Sequence, residues 1–328
     1  MNIRQQITDD IIKAMEAGTP PWRKGWTSGC LHFNASTGKP YAGINQVILG
    51  MQAHTDPRWL TYKQAEAMGV HVRKGEHGTR IVKMVEVDRR KAEAGGEEQK
   101  TLGVEGGKAL VMKAYTVFNA SQIDGMAPLP EREPGAEPSE AVDAVVWGLQ
   151  DTGMKLNFGA GQPAYYPRSD EIRMPQARDF HSVEDYQATL LHECAHASGH
   201  PKRLARLHMD ARFGSAEYAR EELTAELASA MMGGVVGLPP GPSMIEQHAA
   251  YLSSWLDALR RDKNEIFRAA ADAQKICDYL SERALEAKPR RAKWGVMAPA
   301  MTREPVTESG DDQTEPVAFA RKPAQPRL

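Results

Sequence analysis

The stretch that decides the fold runs Leu190-Leu191-His192-Glu193-Cys194-Ala195-His196-Ala197-Ser198. Its centre reads H-E-x-x-H. On a helix, positions i and i+4 share a face, so His192 and His196 can present two imidazole nitrogens to one tetrahedral ion. Glu193, one step round, falls beside the remaining coordination position, where a carboxylate can take a proton from a water that the ion polarises. The local signals predict the helix. Ser182 with Asp185 three residues on reads as a capping box, Tyr186, Leu190, Leu191 and Cys194 supply apolar spacing, and Gly199 with Pro201 marks the stop.

Two imidazoles need a third partner, and the next helical pattern offers acids. It starts at Ser215 as N-cap, runs through Met232 and is expected to end at Gly233-Gly234. Within it, Glu222 and Glu226 share a face, so one can bind metal while the other fixes a histidine tautomer from behind. Glu222 is assigned as the third ligand and Glu226 as the orienting group, with His200 and His208 as rival ligands. Glu217, and with it Glu221, is accounted for by the helix dipole. The longer pattern H-E-x-x-H-x-x-G-x-x-H is disfavoured: Gly199 falls at its glycine, but Lys202 stands where the last histidine belongs. The expected ion is zinc, or another divalent metal.

Composition bounds the remainder. With 328 residues, 41% of them hydrophobic, the chain can bury a sizeable core. A net charge of −2 gives no global attraction to nucleic acid, so any such affinity must be regional. Cys30, Cys194 and Cys277 are widely spaced and odd in number, which argues for reduced thiols and a cytoplasmic location. The first 18 residues lack the apolar core of a secretory signal, and no apolar run approaches the length of a membrane span.

The N-terminal third differs from the rest. Residues 1–85 carry 11 Lys and Arg against 6 Asp and Glu, interleaved with aromatics. Cations that track phosphates and rings that stack on unpaired bases are what single-stranded nucleic acid requires. Arg23, Lys24, Lys39, Arg73 and Lys74 are candidate phosphate contacts; Trp22, Trp26, Tyr41, Trp59 and Tyr62 are candidate stacking platforms. Residues 88–108, charged and glycine-rich, read as a flexible hairpin tip between strand-like segments. The expected plan is α+β in two domains: residues 1–126 binding single-stranded nucleic acid, a Pro- and acid-rich linker at 127–139 that uncouples the halves, a metal-binding domain at 140–287, and a disordered tail at 288–328. Residues 162–175 read as two strands joined by a turn, and an edge strand just before the metal helix could pair with an extended peptide.

Several motifs in order then carry a family resemblance. They are Pro21-Trp22, Asn34 with Gly38-Lys39-Pro40-Tyr41, Gly43-Ile44-Asn45, Trp59-Leu60-Thr61-Tyr62, and Arg73-Lys74-Gly75-Glu76 with Gly78-Thr79. Further on come Tyr115 with Val117-Phe118-Asn119, Tyr165-Tyr166 through Ile172 with Met174-Pro175, the metal motif, Phe213-Gly214, and Glu221-Glu222-Leu223 with Ala225-Glu226. Together they resemble the ArdC-type antirestriction proteins of plasmids and other mobile elements. The resemblance implies an N-terminal domain for single-stranded DNA, a zincin-like metallopeptidase domain, and protection of incoming DNA from restriction endonucleases. A similar N-terminal domain precedes TraC-type plasmid primases; the length left after residue 287 is too short for a primase domain, so priming is not expected. Two alternatives stay open: an intracellular zinc peptidase with no DNA role, and a DNA-binding protection protein whose metal site is structural. A protein substrate and the oligomeric state are not legible.

Overall fold

The computed structural model describes residues 3–17, 30–52, 54–88, 102–103, 108–129, 138–159, 161–207, 215–238, 249–288 and 319–320. The N-terminal half is built on a long hairpin. Strand β4 (Thr79–Asp88) pairs antiparallel with β6 (Lys108–Asn119), in register from Thr79 opposite Val117 to Asp88 opposite Lys108. On the other side of β6 lies β2 (Arg58–Leu60), antiparallel, and β1 (Phe33–Asn34) continues the sheet parallel to β2. The short β5 (Leu102–Gly103) also pairs with β6, while β3 (His71–Val72) and β7 (Ile123–Asp124) form a separate antiparallel pair. The other residues of the expected hairpin tip lie outside the described residues.

Three helices accompany this sheet: α1 (Ile3–Glu16), α2 (Ile44–Gly50) and α3 (Tyr62–Ala67). Thr61 starts α3 with a reciprocal cap, its side chain accepting from the Gln64 amide while Gln64 reaches back to the Thr61 amide. A buried group of Leu49, Trp59, Ile81 and Val117 joins α2 to the sheet.

The C-terminal half is a helical layer on a small sheet. Strand β8 (Lys155–Phe158) lies parallel to β10 (Glu171–Met174), and β9 (Ala164–Tyr166) runs antiparallel to β10 on its far side. Helices α4 (Pro138–Asp151), α5 (Val183–Ser198) and α6 (Ala216–Val236) are followed by α7 (Ala249–Arg261) and α8 (Glu265–Glu286). The expected N-caps form: the Ser182 hydroxyl accepts from the Asp185 amide and Ser215 from the Tyr218 amide, each at 3.1 Å. Helix α6 continues through Gly233 and Gly234 and stops at Gly237. That residue takes the left-handed conformation that closes a helix, at φ 75°, and leaves the Leu238 amide to bond the Gly233 carbonyl. Within the expected tail, β11 (Phe319–Ala320) pairs with β9.

The two halves are not uncoupled. Ile7, Ile11 and Met15, spaced four apart on α1, enter the same buried cluster as Trp255, Leu259 and Ile266. Val47 and Ile48 of α2 enter it as well. Polar contacts run the same way: Thr8 donates to the Lys263 carbonyl at 2.8 Å, and the Gly43 amide to Gln274 Oε1 at 2.9 Å. Gly43 adopts φ 55°, with the space at its α-carbon 3.5 Å from the Ala270 carbonyl oxygen, so the start of α2 is fitted to the side of α8. Apolar faces that need burial override a polar linker, most of which (130–137) lies outside the described residues.

Candidate metal centre and the N-terminal surface

Helix α5 is buried on nearly all sides from Asp185 to Ser198, an unusual setting for a segment that carries two histidines and a glutamate. Its final turns hold His192 and His196 with their Nε2 atoms 3.0 Å apart. Helix α6 crosses α5 and brings Glu222 to them, Oε2 3.7 Å from His192 Nε2 and Oε1 3.5 Å from His196 Nε2. One donor atom from each of these three buried residues lies within 4.8 Å of the other two.

The far side of each ring faces a carboxylate. His196 Nδ1 lies 2.8 Å from Glu221 Oε1, and His192 Nδ1 lies 3.6 Å from Glu226 Oε2. The carboxylate 2.8 Å from His196 Nδ1 favours the proton there, and the negative charge of Glu226, though beyond hydrogen-bond reach, favours it on His192 Nδ1 as well; those tautomers turn both Nε2 lone pairs toward one another. Two lone pairs at 3.0 Å repel unless a cation lies between them. Two nitrogens each about 2.0–2.1 Å from one tetrahedral ion stand about 3.3 Å apart, so the pair is already close to ligating separation. Two imidazoles and a carboxylate make a donor set suited to zinc and related divalent ions.

Glu193 supplies a second indication. It is fully buried, and neither carboxylate oxygen has a hydrogen-bond partner among the described residues. An unpartnered buried carboxylate costs several kcal/mol or more, so the fold carries it at a net loss unless it acts on something that enters the site.

Sequence reasoning missed Glu221 and the two arginines behind it. Arg206 pairs with the other Glu221 oxygen and donates to the Ala195 carbonyl at 2.6 Å. Arg203, wholly buried, donates to the Ala197 carbonyl at 2.6 Å and pairs with Asp170 in the β9–β10 turn, where Tyr165 also donates to Asp170 at 2.9 Å. Burial works against the Asp170 charge, but the hydrogen bonds and charge of Arg203 overcome it and hold the carboxyl below its usual range. Two guanidinium groups on the last carbonyls of α5 complement its negative end. The available signal was a count: two ligating histidines call for two orienting groups, and only Glu226 had been offered. His200 turns away to Asp170, 3.8 Å distant, and His208 lies outside the described residues.

The candidate DNA contacts fare unevenly. Trp22, Arg23, Lys24 and Trp26 lie outside the described residues. Trp59 is fully buried and donates from Nε1 to His32 Nδ1 at 3.1 Å, so its faces belong to the core and offer no stacking platform. That hydrogen bond needs a neutral His32, and burial, with nearby His54 second, lowers His32 to about 4. Tyr41 is half-buried, within 3.3 Å of Asn34 Nδ2. Tyr62 is 60% exposed, and Lys39 and Lys74 are exposed. Arg73 is exposed but paired with Glu76 at 2.9 Å and Asp124 at 3.4 Å. Tyr115, not singled out for stacking, is also exposed.

A buried helix carrying H-E-x-x-H, crossed by a second helix that supplies a carboxylate, defines a zincin-like metallopeptidase fold. Comparison agrees: residues 141–272 match the family described as zincin-like metallopeptidase, and residues 1–118 match the N-terminal domain of anti-restriction factor ArdC. The chain belongs to the ArdC antirestriction family. It is 39% identical to the antirestriction ArdC protein of plasmid R388, whose metal-free crystal structure superposes with a TM-score of 0.69 over 88% of this chain and all of that one. The Mn(II)-bound structure of the same R388 protein gives 0.68 at the same 39% identity, over 87% of this chain and 98% of that one. The chain is also 42% identical over 289 residues to DNA primase TraC of Escherichia coli, covering 84% of this chain and 27% of the primase. That likeness runs well past the N-terminal domain, which alone was expected to be shared. Among the described residues no helix is long and apolar enough to cross a membrane.

Proposed function

We propose that the C-terminal half is a divalent-metal-dependent peptide hydrolase and that the N-terminal half binds single-stranded DNA, the two together protecting incoming DNA from restriction. The observation that carries the first part is the convergence of His192, His196 and Glu222 beside the unpartnered Glu193 carboxylate. His192 and His196 would hold the ion through Nε2 and Glu222 through its carboxylate, with zinc first among the candidates. The Mn(II)-bound R388 relative supports a divalent ion of some kind.

When bound, such an ion supplies Lewis acidity toward a peptide carbonyl and toward water. The chain's own residues do the rest. Glu193 accepts the proton that water loses as it attacks the carbonyl carbon, and its burial keeps bulk water from competing for that role. As the C–N bond breaks, the same carboxyl returns the proton to the departing nitrogen. Glu221 and Glu226 hold the two imidazoles in the ligating tautomer, and the arginines on the last turn of α5 keep the helix end in place.

Support for DNA binding comes from the ArdC-type match over 1–118 and from the exposed Lys39, Lys74 and Tyr62. Trp22, Arg23, Lys24, Trp26 and Tyr41 complete the proposed surface, and Trp59 is excluded from it. The test is protection of plasmid DNA from a restriction endonuclease in cells, comparing wild type, Glu193→Ala and a Lys39→Ala/Tyr62→Ala/Lys74→Ala variant. Loss of protection in both variants is expected. Full protection by Glu193→Ala would remove hydrolysis from the function and leave DNA occlusion by the N-terminal half.

A further inference from the structure

The chain that follows the metal helix is folded back onto it. Gly199 ends α5, and residues 200–207 return to its last turn. The Leu204 amide donates to the Ser198 carbonyl, and the Arg206 and Leu207 amides both donate to the Gly199 carbonyl, each at 3.0 Å. Space, not backbone freedom, calls for glycine here. At φ −79° any residue could stand at 199, but a β-carbon would lie 2.7 Å from Leu207 Cγ and 3.2 Å from Arg206 Cγ. The return carries two local costs. Ala205 takes the left-handed conformation at φ 50°, and Arg206 Nε is buried with no hydrogen-bond partner among the described residues. Such costs persist only where the surroundings enforce them.

What the return secures is the guanidinium of Arg206. Through Nη2 it donates to the Ala195 carbonyl at 2.6 Å, and through Nη1 to Glu221 Oε2. Glu221 turns its other oxygen to His196 Nδ1 at 2.8 Å. A circuit closes: backbone of α5, Arg206, Glu221 of α6, and the imidazole of the residue next to Ala195. Arg203 makes a different connection, since it bonds the Ala197 carbonyl but pairs with Asp170 in the β9–β10 turn.

Two effects of Arg206 oppose each other. A guanidinium near a metal site repels the incoming cation. Against that, the flexible Glu221 side chain is held at both oxygens before the ion arrives, so the ordering cost does not fall on binding. Because Arg206 and Glu221 are in contact, they act on the ion from a distance as a nearly neutral pair, and positioning wins.

We propose that Arg206 is a positioning residue of the metal centre, fixing Glu221 and through it the His196 ring in the ligating pose. The proposal rests on the reading of His196 as a ligand. Arg206 and Glu221 also line a cavity of about 310 Å³ whose other walls come from α6 and α8, including Thr224 and Ala269. Truncation of Arg206 therefore opens onto space that a small cation can enter.

The test uses the full chain as wild type, Arg206→Ala, Arg206→Lys, Glu221→Ala and the double variant Arg206→Ala/Glu221→Ala. Zinc affinity is read by competition with a chromophoric chelator, and folding by circular dichroism. Arg206→Ala should weaken zinc binding about tenfold or more, as an orienting partner does. In the Glu221→Ala background the same change should add less than about twofold, since members of one network do not add. An arginine that merely stabilised the fold would weaken both backgrounds alike. Arg206→Lys should recover part of the loss. Methylguanidinium should recover part of it in Arg206→Ala and none in the double variant. If Arg206→Ala does not fold, Arg206→Gln takes its place in the cycle. Unchanged or tighter zinc binding, equal losses in both backgrounds, or no recovery by either lysine or methylguanidinium would overturn the proposal alone. A wild type that takes up no divalent ion would overturn the ligand reading and the proposal with it.

Discussion

The two halves treat their functional side chains in opposite ways. In the C-terminal half, His192, His196, Glu222, Glu193 and Glu226 are all buried, and each histidine has a carboxylate behind it, hydrogen-bonded at 2.8 Å for His196 and 3.6 Å away for His192. In the N-terminal half, the described side chains available to a ligand are exposed and only loosely held, while Trp59 is consumed by the core. The difference follows from the chemistry. A metal site needs lone pairs fixed to within a few tenths of an ångström, which only packing delivers. A phosphate-tracking surface needs charge at roughly the right spacing and tolerates mobile lysines. A single substitution should therefore be severe in the first region and mild in the second, unless it strikes the core.

The largest effect should be His196→Ala. Wild type should take up about one divalent ion per chain, and the variant should lose more than the roughly 100-fold that a supporting residue costs. Elemental analysis after dialysis against zinc or manganese checks this, and retention of the ion by the variant would break the assignment. Removing the ion from wild type should also lower the melting temperature, since binding is linked to the folded state.

Next comes the pair that separates core from surface. Trp59→Ala should destabilise by about 3–5 kcal/mol, as for a buried aromatic. Tyr62→Ala should stay within about 0.5 kcal/mol of wild type in stability yet lower single-stranded DNA affinity by about 1–3 kcal/mol. Denaturant melts and fluorescence anisotropy distinguish the two. The Trp59–His32 bond adds a pH dependence. The folded imidazole is lowered to about 4 while the unfolded one titrates near 6.5, so between those values only the unfolded chain binds the proton. Stability is then fully present above pH 6.5 and falls as the pH drops toward 4, by about 3 kcal/mol at most. Urea melts across that window should show the loss, and His32→Gln should flatten it.

What could be read from the chain divides along the same line. The metal helix was legible because its signals are local: a cap at Ser182, a stop at Gly199, and two histidines four apart. Glu222 and Glu226 were legible because they share a helical face. Glu221 was not, because an acid near a helix N-terminus already has an explanation in the dipole, and nothing local reveals that Arg206 and His196 converge on it. The shared core was illegible for a similar reason. The stripe Ile7, Ile11 and Met15 states that α1 must pack, but its partners on α7 and α8 stand some 250 residues away, and the intervening Pro-rich segment reads as a spacer. Trp59 was misread because a tryptophan beside arginine in a basic region looks the same whether its ring faces inward or outward.

A smaller effect sharpens the picture of the site. Glu221→Ala and Glu226→Ala should each weaken metal binding by about 10–100-fold, and Glu222→Ala by more. Glu221→Gln should recover part of its loss, because an amide oxygen still accepts from His196 Nδ1. Competition with a chromophoric chelator measures all four. If Glu226→Ala proved worse than Glu222→Ala, the ligand and its orienting neighbour would have to be exchanged.

The smallest effect concerns two adjacent cations that the sequence treats as equivalent. Each phosphate neutralised on a single strand releases counterions, contributing about −0.7 to the slope of log affinity against log salt. Lys74 is exposed, and no acidic partner to it is seen among the described residues, so Lys74→Ala should make the slope shallower by about that amount. Arg73 is committed elsewhere: its guanidinium pairs with Glu76 and Asp124 and donates to the Ser121 carbonyl at 2.5 Å. To meet a phosphate it would have to abandon those partners, so Arg73→Ala should leave the slope nearly unchanged. Its effect should be on the join between the β3–β4 turn and the segment before β7, seen as faster hydrogen exchange at His71 and Val72. Anisotropy titrations from low to moderate salt with an oligothymidine probe resolve a slope change of this size. Equal slope changes for both variants would mean that Arg73 leaves its acidic partners when DNA arrives, and the N-terminal surface would then be one that reorganises on binding.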